Sequence, residues 1–294
     1  MRNLWSRTEE ERFFKKALEI ATPEQLFYIT ENKQYIAYWP KGYKGKKNTL
    51  QSRNAFIGSY TEKWTQGLLE SIANNFNAFA VQSVICEEIG LSNRSSADVA
   101  ICKTTETIQK PENILMLVEV KMSVVWNWEF NPQTKQLKCV GDYTTHQGNP
   151  GLLRSDTMLK ATGKSINIRV SSFKSSHIPI IILGNTPITK SYYKKVDYLK
   201  NAGIVQGFYS LNPCPLDNPH HANNIKATSK KGFIRFDSYT EFQEEITILL
   251  SGDREFFRGM KTKKELGKLI EAANQEPTYE KKAEKFLKLL RENG

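Results

Sequence analysis

The sequence predicts an α/β fold, a mixed central β-sheet flanked by helices, with helical additions at the N- and C-terminal ends. Three observations lead there. The segments "AVQSVICEEI" (80–89), "ADVAICKT" (97–104) and "ILMLVEVKMS" (114–123) are short, β-rich and bounded by turn residues or charge. The run "IPIIILGN" (178–185) is almost continuously apolar, the pattern of a strand covered on both faces. Helix and strand patterns then alternate, as they do where helices cover a sheet.

Each element has its own local warrant. Residues 5–32 read as helical: "WSRTEEERFFKKALEIA" sets charged residues on one face and Phe13, Phe14, Leu18 and Ile20 towards another, and "TPEQLFYIT" opens a second helix with Pro23 near its start. "PKGYKGKKNTLQSRN" is a basic loop rich in Gly and Lys. "SYTEKWTQGLLESIANNF" is an amphipathic helix with Trp64, Leu68, Leu69, Ile72 and Phe76 on its apolar stripe. The three strands follow. "VVWNWEF" and "KQLKCVGDY" flank "NPQTK" as a hairpin. "LLRSDTMLKATGKSINI" reads as a helix, 178–185 as the buried strand, "SYYKKVDYLKNAG" as a helix that Gly203 ends, and "IVQGFYSLN" as one more strand. Towards the end come a strand or turn, a helix starting at "TEFQEE", and a charged helical region over 251–294.

The chain has 294 residues with 39% hydrophobic content, enough for one large core or one domain with a helical appendage. The expected divisions are an N-terminal helical segment and basic loop (1–57), a core (58–250) and the C-terminal helices (251–294). Lys and Arg number 42 against 31 Asp and Glu, a net charge of +11. Such a balance favours a polyanionic partner, nucleic acid or an anionic membrane surface, over a merely soluble basic protein. Cys86, Cys102, Cys139 and Cys214 form no C-x-x-C pair and lie at no finger spacing from His220 and His221, which argues against structural zinc. The N-terminus lacks an apolar signal core, and no run reaches the roughly 18 apolar residues of a membrane span, so the expectation is a soluble, cytoplasmic protein with no membrane partner.

The chemistry concentrates in "LMLVEVKMS" (115–123). In a strand, residues two apart share a face. Met116, Val118, Val120 and Met122 then make one apolar face, while Glu119 and Lys121 stand side by side on the other with Leu117 and Ser123. Burying such a pair is costly unless it lines a wet cleft, holds a cation, or both. Asp98 opens the preceding strand, and antiparallel pairing would bring it to Glu119 and Lys121. Two close carboxylates repel unless a cation sits between them, and hard oxygen ligands suit Mg²⁺. A surface salt bridge on an edge strand is the competing account of E-V-K.

An Asp at a strand start, then E-V-K some twenty residues on in the next strand, after an acidic helix, resembles the PD-(D/E)xK nuclease superfamily. The resemblance covers about residues 58–210 and the element order as well as the residues. It implies a restriction-endonuclease-like sheet, with Asp98 and Glu119 as metal ligands and Lys121 as the catalytic lysine. Glu62 in "SYTE" matches the acidic residue that some members carry on the preceding helix, as a catalytic residue and third metal ligand. Its other reading is a capping box reaching back to Ser59. The family's Pro before the Asp is Ala97 here.

In this superfamily the segments after the catalytic strand approach nucleic acid. That directs attention to "GDYTTHQGNPGLL" and the helix "RSDTMLKATGK", in which Arg154, Ser155, Asp156, Lys160 and Lys164 begin or line one side. Arg can fork to guanine or phosphate, Lys reaches phosphate, and Asn or Gln can reach adenine, so Gln147, Asn149 and Arg154 are candidate base contacts. A solvated loop and helix face is the alternative. His146 can be a general base, a base-contacting donor or a satisfied loop histidine. "KGYKGKKNTLQSRN" and "KSYYKKVDYLK" are candidate phosphate patches or ordinary solvated faces.

The expectation is thus a Mg²⁺-dependent endodeoxyribonuclease acting on double-stranded DNA, most like a type II restriction endonuclease of a restriction-modification defence. The likeness implies a homodimer if targets are palindromic. A repair or recombination nuclease on the same core, and a non-catalytic DNA-binding protein, are the rival classes. No Walker motif accompanies the core, since "KATGKS" lacks the first glycine at the required spacing.

Overall fold

In the computed structural model, which describes residues 3–45, 50–222, 224–252 and 263–292 without the side chains of Lys263 and Arg291, helix α1 (Arg7–Ala17) starts where Ser6 accepts a hydrogen bond from the Glu9 amide at 3.3 Å. Helix α2 (Pro23–Leu26) follows, then strands β1 (Tyr28–Ile29) and β2 (Tyr35–Ile36) and the long helix α3 (Gln51–Asn74). Strands β3 (Phe79–Val84), β4 (Ala97–Cys102) and β5 (Ile114–Val120) come next, then the hairpin β6 (Asn127–Asn131) and β7 (Gln136–Gly141). Helix α4 (Ser155–Ser171), strand β8 (Ile180–Gly184), helix α5 (Tyr193–Asn201) and strands β9 (Gly207–Ser210) and β10 (Phe233–Arg235) complete the alternating part. Helices α6 (Tyr239–Ser251), α7 (Lys263–Ala273) and α8 (Tyr279–Glu292) follow.

The larger sheet has six strands in the order β10-β9-β8-β5-β4-β3. Strands β10, β9, β8 and β5 run parallel, and β4 and β3 join antiparallel, which makes the sheet mixed. Helices cover both faces. Met116, Val118 and Val120 of β5 pack in one apolar cluster with Leu68, Leu69 and Ile72 of α3 and Phe13 and Phe14 of α1. Leu117 packs on the opposite face with Met158, Ala161 and Ile168 of α4 and Val196 of α5. The alternation read from β5 thus matches the two sides of the sheet. Strand β8 is buried along its whole length, as its apolar run requires. Helix α5 ends one residue before Ala202, and Gly203 follows at φ 69, a left-handed conformation that a glycine adopts without strain.

The N-terminal part departs from its sequence expectation. The second helix stops at Leu26, and Tyr28–Ile29 pairs with Tyr35–Ile36. These short strands join the hairpin in a second, four-stranded antiparallel sheet, β1-β2-β6-β7. Phe27 explains the switch: its ring stacks on Phe14 at 4.9 Å and on Phe130 at 5.4 Å, which fixes the chain against the hairpin instead of extending the helix. The division expected between 57 and 58 falls inside α3, and Ile57 belongs to the core.

Other expectations change with it. Because α3 begins at Gln51, Ser59 and Glu62 lie in mid-helix, so the capping box read there has no helix start to cap. The last part of the basic loop is helical, and Arg53 is buried, donating to the Ala37 carbonyl with its guanidinium over Tyr28 at 5.2 Å and Tyr38 at 4.9 Å. Lys46, Lys47, Asn48 and Thr49 of that loop lie outside the described residues. Helix α6 starts at Tyr239, one residue before Thr240, and its N-cap Ser238 accepts from the Glu241 amide at 3.2 Å. The C-terminal region is helical in α7 and α8, while 253–262 lies outside the described residues. No described helix is long and apolar enough to cross a membrane.

Glu10 pins α1 to the chain that follows β5. It is fully buried and accepts four N–H groups: Val125 N at 2.8 Å, Trp126 N at 2.9 Å, Trp128 Nε1 at 2.9 Å and Trp5 Nε1 at 3.3 Å. Glu10→Ala strands those donors and is expected to lower the unfolding free energy by about 3 kcal/mol or more. Burial pushes the Glu10 carboxyl up to about 7 against the pull of its donors. The folded protein therefore holds this proton more tightly than the unfolded chain does. The stability so gained is present at low pH and is lost as pH rises towards and through 7. Urea unfolding of the wild type and of Glu10→Gln, compared from about pH 5 to about pH 8, reads this directly. The wild type should lose stability relative to the variant as pH rises.

Candidate active site

Strand register brings the two carboxylates together. Val99 faces Val118 and Ala100 faces Leu117, so the next step along both strands sets Asp98 beside Glu119. The Asp98 carboxylate also accepts the Val120 amide at 2.7 Å through Oδ2. This contact ties the start of β4 to the end of β5. On the other side β5 pairs with β8, with Glu119 opposite Ile182. Glu119 therefore belongs to a central strand, not to an edge.

Two ammonium groups clamp the carboxylates. Lys121 Nζ lies 2.5 Å from Glu119 Oε1 and 3.3 Å from Asp98 Oδ2, and it also donates to the Val120 carbonyl at 3.1 Å. Lys164 Nζ lies 2.5 Å from Glu119 Oε2 and 3.5 Å from Asp98 Oδ1, and it donates to the Ser96 carbonyl at 2.6 Å. Each lysine thus spans one oxygen of each acid. The four side chains are only 9 to 21% exposed, so they are close to the interior yet still open to solvent. Burial alone would pull the Lys121 ammonium down, but Glu119 and Asp98 outweigh it and hold it above the usual lysine value.

Glu62 approaches from α3, on the opposite face of the sheet. It is half-buried, and its carboxyl is raised first by burial and then by the charge of Asp98, with Glu119 adding to the rise and Lys121 and Lys164 opposing it. It feels all four members of the cluster and has no capping partner at a helix start.

Lys164 was expected on the solvent face of its helix, contacting phosphate. The periodicity of α4 explains its actual place. Met158, Ala161, Ser165 and Ile168 form the buried stripe, and position 164 is three residues after Ala161 and four before Ile168. The same helical logic applies to Glu10, three and four residues before the buried Phe13 and Phe14, although the sequence reading put it on the charged face.

The segment beyond Lys121 is held from several sides. Asn185 receives the Ser123 amide at 3.1 Å and donates to the Ser123 carbonyl at 2.7 Å, and Asn212 donates to the Asn185 carbonyl at 3.1 Å. Gly151, at φ +52, lies where a Cβ would stand 3.1 Å from the Lys121 carbonyl and 3.0 Å from Thr186 Oγ1. A side chain there would combine a strained left-handed backbone with crowding of these atoms, so glycine suits the close approach of the loop before α4 to the Lys121 carbonyl.

The remaining candidates divide between surface and interior. Asn149, Arg154, Ser155, Asp156 and Lys160 are exposed around the start of α4. Arg154 forks onto Asp156 at 3.0 and 2.8 Å, an exposed pair that water screens. Gln147 gives its amide to the Pro40 and Tyr43 carbonyls, both at 3.0 Å. His146 is buried, stacks on Tyr38 at 3.9 Å, and meets the backbone carbonyls of Gln147 and Val125 with its two ring nitrogens at 3.1 and 3.3 Å. Burial holds its pKa below the usual histidine value. The position is that of the satisfied loop histidine, and Gln147 serves the neighbouring loop.

The donor set suits a hard divalent cation. Asp98 and Glu119 offer carboxylate oxygens, and the Val120 carbonyl lies beside them. Among the described residues no three His, Cys, Asp or Glu side chains form a ready-made cage. A cavity of about 750 Å³ lies elsewhere, lined by Arg7, Trp126, Asn212 and Asp217 and by none of the cluster. Comparison with known proteins supplies no relative: no family model, no curated protein and no solved structure matches the chain.

Glu119→Gln and Lys164→Met are expected to couple by about 1–3 kcal/mol in a double-mutant cycle of unfolding free energies, the double variant losing less stability than the two single losses added together. The exposed Lys160→Met should couple with Glu119→Gln by less than about 0.5 kcal/mol.

Proposed function

We propose that the chain is a Mg²⁺-dependent endodeoxyribonuclease with a PD-(D/E)xK-type centre, cutting double-stranded DNA at a specific sequence and most like a type II restriction endonuclease. The observation that carries this reading is the pairing of β4 with β5, which sets Asp98 beside Glu119 with the Lys121 ammonium touching both. A surface salt bridge on an edge strand would not explain three buried or half-buried acids converging on two lysines at the end of a central strand.

Asp98 and Glu119 would hold the cation, with Glu62 near enough to add charge or a water-mediated contact. When bound, the cation lowers the pKa of a water and neutralises charge on a phosphate. The chain's own groups then have defined tasks. Lys121 can donate from Nζ to the oxygen that attacks phosphorus, or to a non-bridging phosphate oxygen, and so stabilise charge that develops in the displacement. The Val120 amide holds Asp98 Oδ2 and fixes which Asp98 oxygen faces the reacting atoms. The four side chains of the cluster keep 9 to 21% exposure, the access through which a phosphodiester would reach them.

The charge of +11 suits a polyphosphate partner. Asn149, Arg154, Ser155 and Lys160 are exposed on the segment that Gly151 locks against Lys121, which favours them as DNA contacts. Exposed Lys190, Lys194 and Lys195, at and just before the start of α5, offer further phosphate contacts. A palindromic target would be read by two copies of the chain.

Digestion of a supercoiled plasmid with Mg²⁺ or with EDTA tests the reading. The wild type should give discrete bands with Mg²⁺ alone, and Asp98→Ala and Lys121→Ala should each lose on the order of 10²–10³-fold in rate. Undiminished cutting by Asp98→Ala would contradict the site. Cutting confined to junctions or single strands would move the protein to the repair class.

A further inference from the structure

The two lysines of the cluster are not equivalent. Asp98 Oδ2 already receives the Val120 amide at 2.7 Å and the Lys121 ammonium at 3.3 Å, and Lys121 sits on the strand segment that carries Glu119. That side of the acid pair is filled by groups from the last residue of β5 and the residue that follows it. The other side, Asp98 Oδ1 with Glu119 Oε2, is held by Lys164 alone among the described contacts, and Lys164 comes from a different element, α4. Its ammonium bridges one oxygen of each acid, where a divalent cation shared by two carboxylates would sit. The charges balance in the same way. Two carboxylates and two ammonium groups cancel, so Asp98 and Glu119 do not need a metal to lie together. A cation entering this seat meets the repulsion of any ammonium that stays.

We propose that Lys164 is a displaceable internal counter-ion: it occupies the Asp98 Oδ1–Glu119 Oε2 seat when no divalent cation is bound, and it yields that seat when one binds. The inference rests on the metal-centre part of the proposed function. After displacement Lys164 keeps its second anchor, the Ser96 carbonyl at 2.6 Å, so its charge stays at the mouth of the site instead of leaving with the side chain. The pairing keeps the acids together and the strand ends closed before metal arrives. It also sets a threshold: the metal must outcompete a built-in cation, which makes the centre selective for a divalent ion over monovalent ones.

Titration calorimetry of the full-length protein with Mg²⁺, without DNA, tests this. Lys164→Gln keeps a donor for Ser96, Lys164→Met removes it, and Lys164→Arg retains the charge. The Gln and Met variants should bind Mg²⁺ at least about tenfold more tightly than the wild type, the low end for removing a unit charge a few ångströms away in a partly wet site. The Arg variant should stay within about threefold of the wild type because the charge remains. Thermal unfolding confirms that each variant is folded. In the unaltered protein, acetylation of Lys164 followed by mass spectrometry gives a reading that needs no variant, and its rate should rise when Mg²⁺ is added. Folded neutral variants that bind Mg²⁺ no more tightly, Mg²⁺ binding by none of the proteins, or a Lys164 acetylation rate unchanged by Mg²⁺ would each overturn the inference. A wild type that fails to cut DNA while the affinity order holds would remove the nuclease reading and leave the counter-ion standing. Cutting with unchanged affinities would do the reverse.

Discussion

Two carboxylates at the ends of adjacent central strands cannot remain there without compensation, and much of the architecture around them supplies it. Asp98 and Glu119 are neighbours because β4 runs antiparallel to β5, and they are nearly buried because β8 covers the other edge of β5. An isolated ion in such a place costs several kcal/mol, and a lone partner rarely offsets it. Here the compensation is distributed. The Val120 amide takes one Asp98 oxygen, Lys121 comes from the residue just past the end of β5, and Lys164 comes from α4 across the sheet face. Moving any one of these elements would leave a charge unpaired, so the site and the packing of β4, β5 and α4 constrain one another.

The rest of the molecule keeps that arrangement rigid. Gly151 lets the loop before α4 close on the Lys121 carbonyl, and Asn185 clasps Ser123 just beyond the cluster. Further along the same segment, Glu10 gathers the amides of Val125 and Trp126 and the indoles of Trp5 and Trp128. The N-terminal helix and the small sheet are thus part of the support for the strand that carries Glu119. Sites held by strands and braced from behind can keep reacting groups within the narrow geometry that catalysis needs. The long helix α3 adds Glu62 from the far side, where burial first, and then the charge of Asp98, raises its carboxyl.

Legibility in the sequence followed the physics of each signal. Alternation in "LMLVEVKMS" was readable because a strand has a fixed period of two, and its two faces pack on different sides of the sheet. The neighbour relation of Asp98 and Glu119 was readable because a short polar connection favours antiparallel pairing. Gly203 ended α5 for the reason a glycine does. What escaped were polar residues on buried stripes. Lys164 and Glu10 look like surface charges until the buried stripe they flank is known, and Arg53 looks like part of a basic loop until α3 is extended back to Gln51. The small sheet was hidden because two-residue strands have almost no period, and their pairing with the hairpin is set by aromatic stacking between residues far apart in the chain. The capping box at Ser59 failed because a local motif cannot report that the helix already began eight residues earlier.

The register of β4 and β5 sets Asp98 beside Glu119, and the proposed cation site depends on that pairing. Crystals soaked in Mn²⁺ and measured at the manganese absorption edge test it most directly. One anomalous peak is expected, bonded to a carboxylate oxygen of both residues at the roughly 2.1–2.2 Å of a small hard divalent ion, with Lys121 still beside Glu119. Carboxylates still clamped by both lysines with no anomalous peak at saturating Mn²⁺, or a peak bound elsewhere, would contradict it.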